Sequence, residues 1–321
     1  MFRRLRSFTV TEQQYAYAAY AALGTLTFIV FSGSAVRLTG SGLGCPTWPR
    51  CYEDGQLYAE LNTHATIEFA NRLLTSVVGA AALACAVLVW RIRPRRRDLR
   101  LLGVLPLLGV FAQIILGGIT VRMDLAPGPV MAHFALSMII LVGAVALVWR
   151  LRHPEGERPR GSDRLTVWGA RGLAAFGGIV ILAGTAATAA GPHAGGDGTG
   201  DIVNRLHFKG ADTLDFVIKQ HARLAAVLGI AAVVLWFLLR RRGAASEVRR
   251  PLTYTCVMLA AQGVIGTVQY ALELPAEIVW VHVALATIMW TTIIWSAVAA
   301  GRLRPAAGRG RAPVEGRAAV A

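Results

Sequence analysis

Apolar residues in this chain gather into eight long blocks, near 16–36, 66–90, 99–121, 130–149, 166–190, 214–239, 252–272 and 278–300. Each approaches the roughly 20 residues a helix needs to cross a hydrocarbon layer of about 30 Å. A chain inside such a layer must satisfy its backbone hydrogen bonds internally, so the pattern predicts an all-α integral membrane protein with eight transmembrane helices. The first block is long and lacks a small-residue cleavage site, so it reads as a retained span and not as a signal peptide. Glycines recur inside the blocks, among them Gly79, Gly117, Gly118 and Gly229. Small residues let helices approach where lipid supplies no hydrophobic drive.

Composition strengthens this picture, with 55% hydrophobic residues and a mean hydropathy of +0.51. Charge needs more care. A net +15 suggests nucleic acid until its placement is considered. Basic residues cluster between alternate spans, at Arg3, Arg4 and Arg6, at Arg91 to Arg100, Arg150 to Arg164, Arg240 to Arg250 and Arg302 to Arg317. The opposite loops hold few, chiefly Arg37, Arg50, Arg122, Arg205 and Lys209. This is the positive-inside distribution, which puts both termini in the cytoplasm and makes membrane lipid, not nucleic acid, the expected surroundings. The expected division is a cytoplasmic N-terminus over 1–15, a four-helix half over 16–150, a linker over 151–165, a second half over 166–300 and a disordered tail over 301–321.

The two halves repeat each other. AQIILGGITVRMDLAPGPVMAHFALSMII resembles AQGVIGTVQYALELPAEIVWVHVALATIM. Gln113 lies 20 residues before His133, and Gln262 lies 20 before His282. Each Gln is followed by Gly four positions on, then by an acidic residue and a Pro that break the chain. Gly33 to Gly40 matches Gly184 to Gly191, and carrying that register onward pairs Asn71 with His221. The repeat therefore marks four equivalent positions, three of them histidine. An even number of spans per half makes the repeats parallel, related by an axis along the membrane normal.

An ionisable group inside a span is costly and reads first as functional. His133 and His282 stand a few residues inside their spans, about 6–9 Å along the axis. His221 and Asn71 enter from the same side. A pair such as His221 and His282, on helices of one bundle, is suited to face each other across a haem, since bundle interiors house cofactors and histidine is a common axial ligand. The plainer alternative is a hydrogen bond between helices. Arg37, Arg72 and Arg223 sit near external span ends, where they would meet haem propionates or else snorkel to the interface. Glu68 lies three residues before Asn71 on one helix face and is a candidate proton donor or base, the alternative being an ion pair with Arg72. His64 lies about 10 Å further out and is a poor substitute ligand. His153, His193 and His207 are expected to be solvated. Cys45 and Cys51, in GCPTWPRC, read as a disulfide, with free thiols or a metal pair as alternatives.

These motifs together resemble the haem A synthase family. TGSGLGCPTWPRC is similar to that family's first external loop, IEFANRLLT to its Glu-containing second span, and MAHFALS, KQHARLA and WVHVALA to its histidine motifs. The likeness runs from about 16 to 300. It implies a bacterial plasma-membrane enzyme that oxidises a ring methyl of haem O to a formyl by two hydroxylations and loss of water. It further implies haem B held by His221 and His282, a substrate haem on His133, and Glu68 as catalytic carboxylate. The first-loop disulfide would be Cys45–Cys51. Asn71 departs from the family, which has a histidine there, so the first-half site should be held through His133 alone or with water. Implied partners are haem O synthase, oxidase assembly factors and an unidentified electron donor, with a homo-oligomer compatible. The rival reading is a haem B electron carrier that leaves haem unaltered. A transporter is a third, weakened by the scarcity of intramembrane charge.

Overall fold

A computed structural model describes residues 8–53, 62–155, 163–196, 198–201 and 203–303. Eight helices in it are long and apolar enough to cross a membrane. They are α1 (Glu12–Leu38), α2 (Thr63–Leu88), α3 (Arg100–Arg122), α4 (Pro127–Leu151), α5 (Arg164–Ala190), α6 (Thr213–Arg241), α7 (Ser246–Ala271) and α8 (Ala276–Ala299). No extended strand forms among the described residues, and Val10 and Ile92 make an isolated bridge. The chain is a multi-pass helical membrane protein. The basic residues Arg3, Arg4 and Arg6, residues 156–162 of the linker and the tail beyond 303 lie outside the described residues.

Helix starts follow ordinary capping chemistry. Thr11 and Gln14 form a reciprocal capping box at α1, and the Asn62 side chain accepts the Ala65 N–H at 2.8 Å at α2. Asp163 does the same for Thr166 at α5, at 3.0 Å. The largest departure from the apolar pattern is α7, which begins at Ser246 and not near 252. Arg249, Arg250 and Pro251 obscured that start. Pro251 is the sixth residue of α7 and leaves the Glu247 carbonyl without its N–H partner near the polar end of the helix.

The α3–α4 and α7–α8 turns are copies of each other. Asp124 and Leu125 adopt φ of 48° and 55°, and Glu273 and Leu274 adopt 62° and 66°. Left-handed backbone costs a non-glycine residue roughly 1 kcal/mol or more. Each turn offsets this by a bond back across the helix end: Leu125 N–H to the Thr120 carbonyl at 3.0 Å, and Leu274 N–H to Gln269 at 2.7 Å. Prolines at 127 and 275 then start the next helix.

Within the first half each helix touches its neighbour in sequence, and α1 closes the ring on α4. The second half repeats this, with α5 closing on α8. The halves meet through α1, α4, α5 and α8, where Leu141 and Val145 pack with Ile293 and Ile294. Trp290 Nε1 crosses this junction to the Met138 carbonyl at 2.9 Å. Outward faces carry large apolar side chains such as Phe111, Ile230 and Val264. Lipid is the solvent that such a surface requires.

Both ends of the bundle are knotted. On the arginine-rich side, buried Arg96 pairs with Glu12 at 2.7 Å and Asp98 at 3.0 Å, and donates to the His153 carbonyl at 2.7 Å. His153, expected in solvent, instead stacks on Trp149 at 4.1 Å and lies 3.4 Å from Glu247 of α7. On the other side, His193 also proves to be engaged: its Nε2 lies 2.7 Å from the Leu274 carbonyl, and its own carbonyl accepts Arg37 Nε at 3.1 Å. His207 is exposed, as expected.

Candidate functional site

The second half brings two of its histidines together. His221 on α6 and His282 on α8 have ring centroids 6.3 Å apart with planes at 73°. The rings are seated by glycines on the preceding helices. A Cβ at Gly184 would lie 3.0 Å from His221 Cε1, and one at Gly266 would lie 3.5 Å from His282 Cε1. Gln262 anchors α7 to α8 by donating to the His282 carbonyl at 2.9 Å. His221 Nδ1 lies 3.1 Å from the Val180 carbonyl, which can only accept, so that nitrogen carries the proton and Nε2 keeps its lone pair. His282 Nδ1 is enclosed without a partner among the described residues.

This arrangement fits a haem. Two metal–imidazole bonds of about 2 Å, each extended about 1.1 Å from nitrogen to ring centre, place centroids roughly 6 Å apart. No group of three or more His, Cys, Asp or Glu is gathered among the described residues. A metal held by this pair therefore has to bring its remaining ligands with it, as a porphyrin does. The Val180 carbonyl accepts from His221 a hydrogen bond of the kind that orients histidines in metal sites.

The first half repeats the frame but not the pair. Gln113 donates to the His133 carbonyl at 2.9 Å, and a Cβ at Gly117 would lie 3.3 Å from His133 Cε1. Where His221 packs on Gly184, the counterpart glycine, Gly33, has nothing within 4 Å of its Cβ position. The shorter Asn71 leaves that space open, and its Oδ1 accepts the Ser32 hydroxyl of α1 at 2.7 Å. Ser32 is a residue that sequence reasoning missed. Its counterpart beside Gly184 is Ala183, so a comparison of the two repeats shows the hydroxyl arriving with the amide.

Glu68 is buried beneath the first loop. Its carboxylate accepts the Cys45 N–H at 2.7 Å and Arg72 Nε at 3.1 Å. Arg72 also donates to the carbonyls of Cys45 at 2.8 Å and Thr47 at 2.9 Å. The ion-pair alternative for Glu68 is thus present, and Arg72 is turned to the loop. Arg37 reaches the His193 carbonyl, and Arg223 is exposed; neither pairs with a carboxylate among the described residues. Cys45 and Cys51 are joined as a disulfide. The loop they close sends Trp48 onto Gly118, where a Cβ would lie 2.7 Å from the ring. Its base rests on α2, because a Cβ at Gly44 would lie 2.4 Å from the His64 carbonyl oxygen. His64 Nδ1 lies 2.8 Å from the Ser41 hydroxyl of the first loop.

The COX15-CtaA family, described as cytochrome oxidase assembly protein, matches residues 16–60 and 56–294. Heme A synthase of Lysinibacillus sphaericus is 34% identical over 133 residues, covering 41% of this chain and 42% of that protein. Heme A synthase of Symbiobacterium thermophilum is 28% identical over 258 residues, covering 75% of this chain and 81% of that protein. Protoheme IX farnesyltransferase of Halobacterium salinarum is 31% identical over 145 residues, covering 45% of this chain and 31% of that protein. Against three Bacillales heme A synthases the matched stretch spans 40–44% of the relative's length.

Proposed function

The chain belongs to the COX15-CtaA family of cytochrome oxidase assembly proteins, and from that premise we propose that it is a haem A synthase, oxidising a ring methyl of haem O to a formyl. The observation that carries this reading is the His221–His282 pair at 6.3 Å, set in a frame that the first half repeats with one imidazole only. A bis-histidine site suits a fixed electron-passing haem B, and a site with one firm ligand suits a substrate that must leave. Bound haem supplies redox-active iron; the residues described here position it and handle protons.

In this reading His221 and His282 would hold haem B, and His133 would hold haem O with Asn71 as a neighbour in the first-half site. Two hydroxylations would take the methyl to a hydroxymethyl and then to a geminal diol, which loses water to leave the formyl. Each is a two-electron oxidation that draws its oxygen atom and oxidising equivalents from an external oxidant of the dioxygen class. Glu68 is the carboxylate placed to move a proton in that sequence. Arg72 and the Cys45 N–H hold its carboxylate in place beneath the first loop. The disulfide loop keeps that N–H in place. Arg37 and Arg223 remain available to propionates. The arginine distribution supports both termini lying in the cytoplasm, in a bacterial plasma membrane. The relative named for farnesylating protohaem supports a supply of haem O from such an enzyme.

The test is to purify the protein from cells making haem O, extract its haems and weigh them. A hydroxylated haem O or haem A beside haem B is the expected result. Haem B with unaltered haem O would replace the enzyme by an electron carrier.

A further inference from the structure

At the arginine-rich end of α6 and α7 lies a cleft of about 210 Å³ lined by Trp236, Arg240, Ser246, Arg249, Arg250 and Thr253. Three of its six lining residues are guanidinium groups, and none is a carboxylate. This differs from the neighbouring arginines. Arg96 and Arg150 each have Asp98 as a partner, and Arg242 lies 3.9 Å from Asp163. Within the cleft, Arg249 Nε is enclosed with no hydrogen-bond partner among the described residues. Clustered like charges repel, and an enclosed N–H without an acceptor is destabilising. Both deficits are relieved by one ligand type, a compact oxyanion.

The cleft has built walls. Trp236 Nε1 donates to the Thr253 hydroxyl at 2.9 Å, and that hydroxyl donates to the Arg249 carbonyl at 2.9 Å. The Arg240 guanidinium lies 5.3 Å from the centre of the Trp236 ring. Ser246 adds a hydroxyl and the first turn of α7, whose free N–H groups favour negative charge. Depth decides the source of the anion. Trp236 stands five residues before the end of α6, about 7 Å along the axis, where indole rings sit at the headgroup boundary. Below it Val233, Phe237, Tyr254 and Val257 present exposed apolar side chains to the lipid.

We propose that this cleft binds the phosphodiester headgroup of an anionic phospholipid, with Arg240, Arg249 and Arg250 on the phosphate and the acyl chains along the outer face of α6 and α7. The site is separate from the histidines and does not depend on the reaction assigned to them.

Full-length protein in uncharged detergent is titrated with phosphatidylglycerol, with phosphatidylcholine and with inorganic phosphate, while retained lipid is counted by native mass spectrometry and the melting midpoint is followed. Phosphatidylglycerol should be retained and should raise the midpoint, with phosphatidylcholine doing neither. Arg240→Gln with Arg249→Gln should weaken phosphatidylglycerol binding by about fivefold per arginine. A midpoint rise of equal size with inorganic phosphate would overturn the lipid as source. Should the arginine variant fold poorly, Thr253→Glu places a carboxylate in the cleft, and its melting midpoint should no longer respond to phosphatidylglycerol. Equal retention of the two lipids, or an unchanged phosphatidylglycerol effect in either variant, would overturn the proposal.

Discussion

Gly184 and Gly33 hold the same place in the two halves, but only Gly184 has an imidazole over it. Gly184→Ala forces the His221 ring to move by a few tenths of an ångström, since its Cβ would meet Cε1 at 3.0 Å. Gly33→Ala meets nothing within 4 Å. The expected outcome is a shifted haem absorption spectrum or lost haem B for Gly184→Ala, and a wild-type spectrum for Gly33→Ala. Identical spectra would mean that His221 is not a ligand. For Glu68→Gln, conversion of haem O should fall about 100-fold or more, the range for losing a general acid–base group, while haem B content stays unchanged. Undiminished conversion removes Glu68 from the mechanism. At this scale the sequence showed His133 and His282 because each stands 20 residues after a Gln, and His221 because the glycine register carries Asn71 onto it. It did not show Ser32, whose partner lies 39 residues away on another helix and whose type is unremarkable in a span. The bond of His193 to the Leu274 carbonyl and the approach of His153 to Glu247 were hidden for the same reason, since those partners lie far along the chain.

Among the elements, the eight spans were legible because a bilayer demands length as well as hydropathy. Their ends were less so, because helices continue into the polar boundary where hydropathy falls, as α7 does over Ser246 to Pro251. The α5 start offers a direct test of capping. Asp163 is held below the usual carboxylate range, first by the Thr166 N–H, against burial, and then by the Thr166 hydroxyl. Its folded value lies below its unfolded one, so the cap stabilises at neutral pH and fades as pH falls through the folded value. Asp163→Ala should cost about 1 kcal/mol of local helix stability. This should appear as faster amide exchange at Thr166 and Val167 relative to wild type, with the difference closing in acid. A difference that persists unchanged below the carboxylate range contradicts the assignment.

Across the whole molecule, two rings of four helices share a frame of Gln-to-His-carbonyl bonds and left-handed turns, yet differ in what they gather. The second closes two imidazoles to 6.3 Å. The first keeps one imidazole, an amide held by a hydroxyl, and a buried Glu68 under a disulfide-closed loop. That structural difference was visible in the sequence as Asn71 against His221, whereas the loop's grip on Glu68 depends on the Cys45 N–H and no side-chain pattern announces it. The account rests on the halves holding different haems. The most direct measurement weighs the haems retained by His133→Ala and by the His221→Ala, His282→Ala double variant, both made with a haem O supply. The account predicts that His133→Ala keeps haem B and loses haem O with its oxidation products, while the double variant loses haem B. A double variant that retains tightly bound haem B would contradict it.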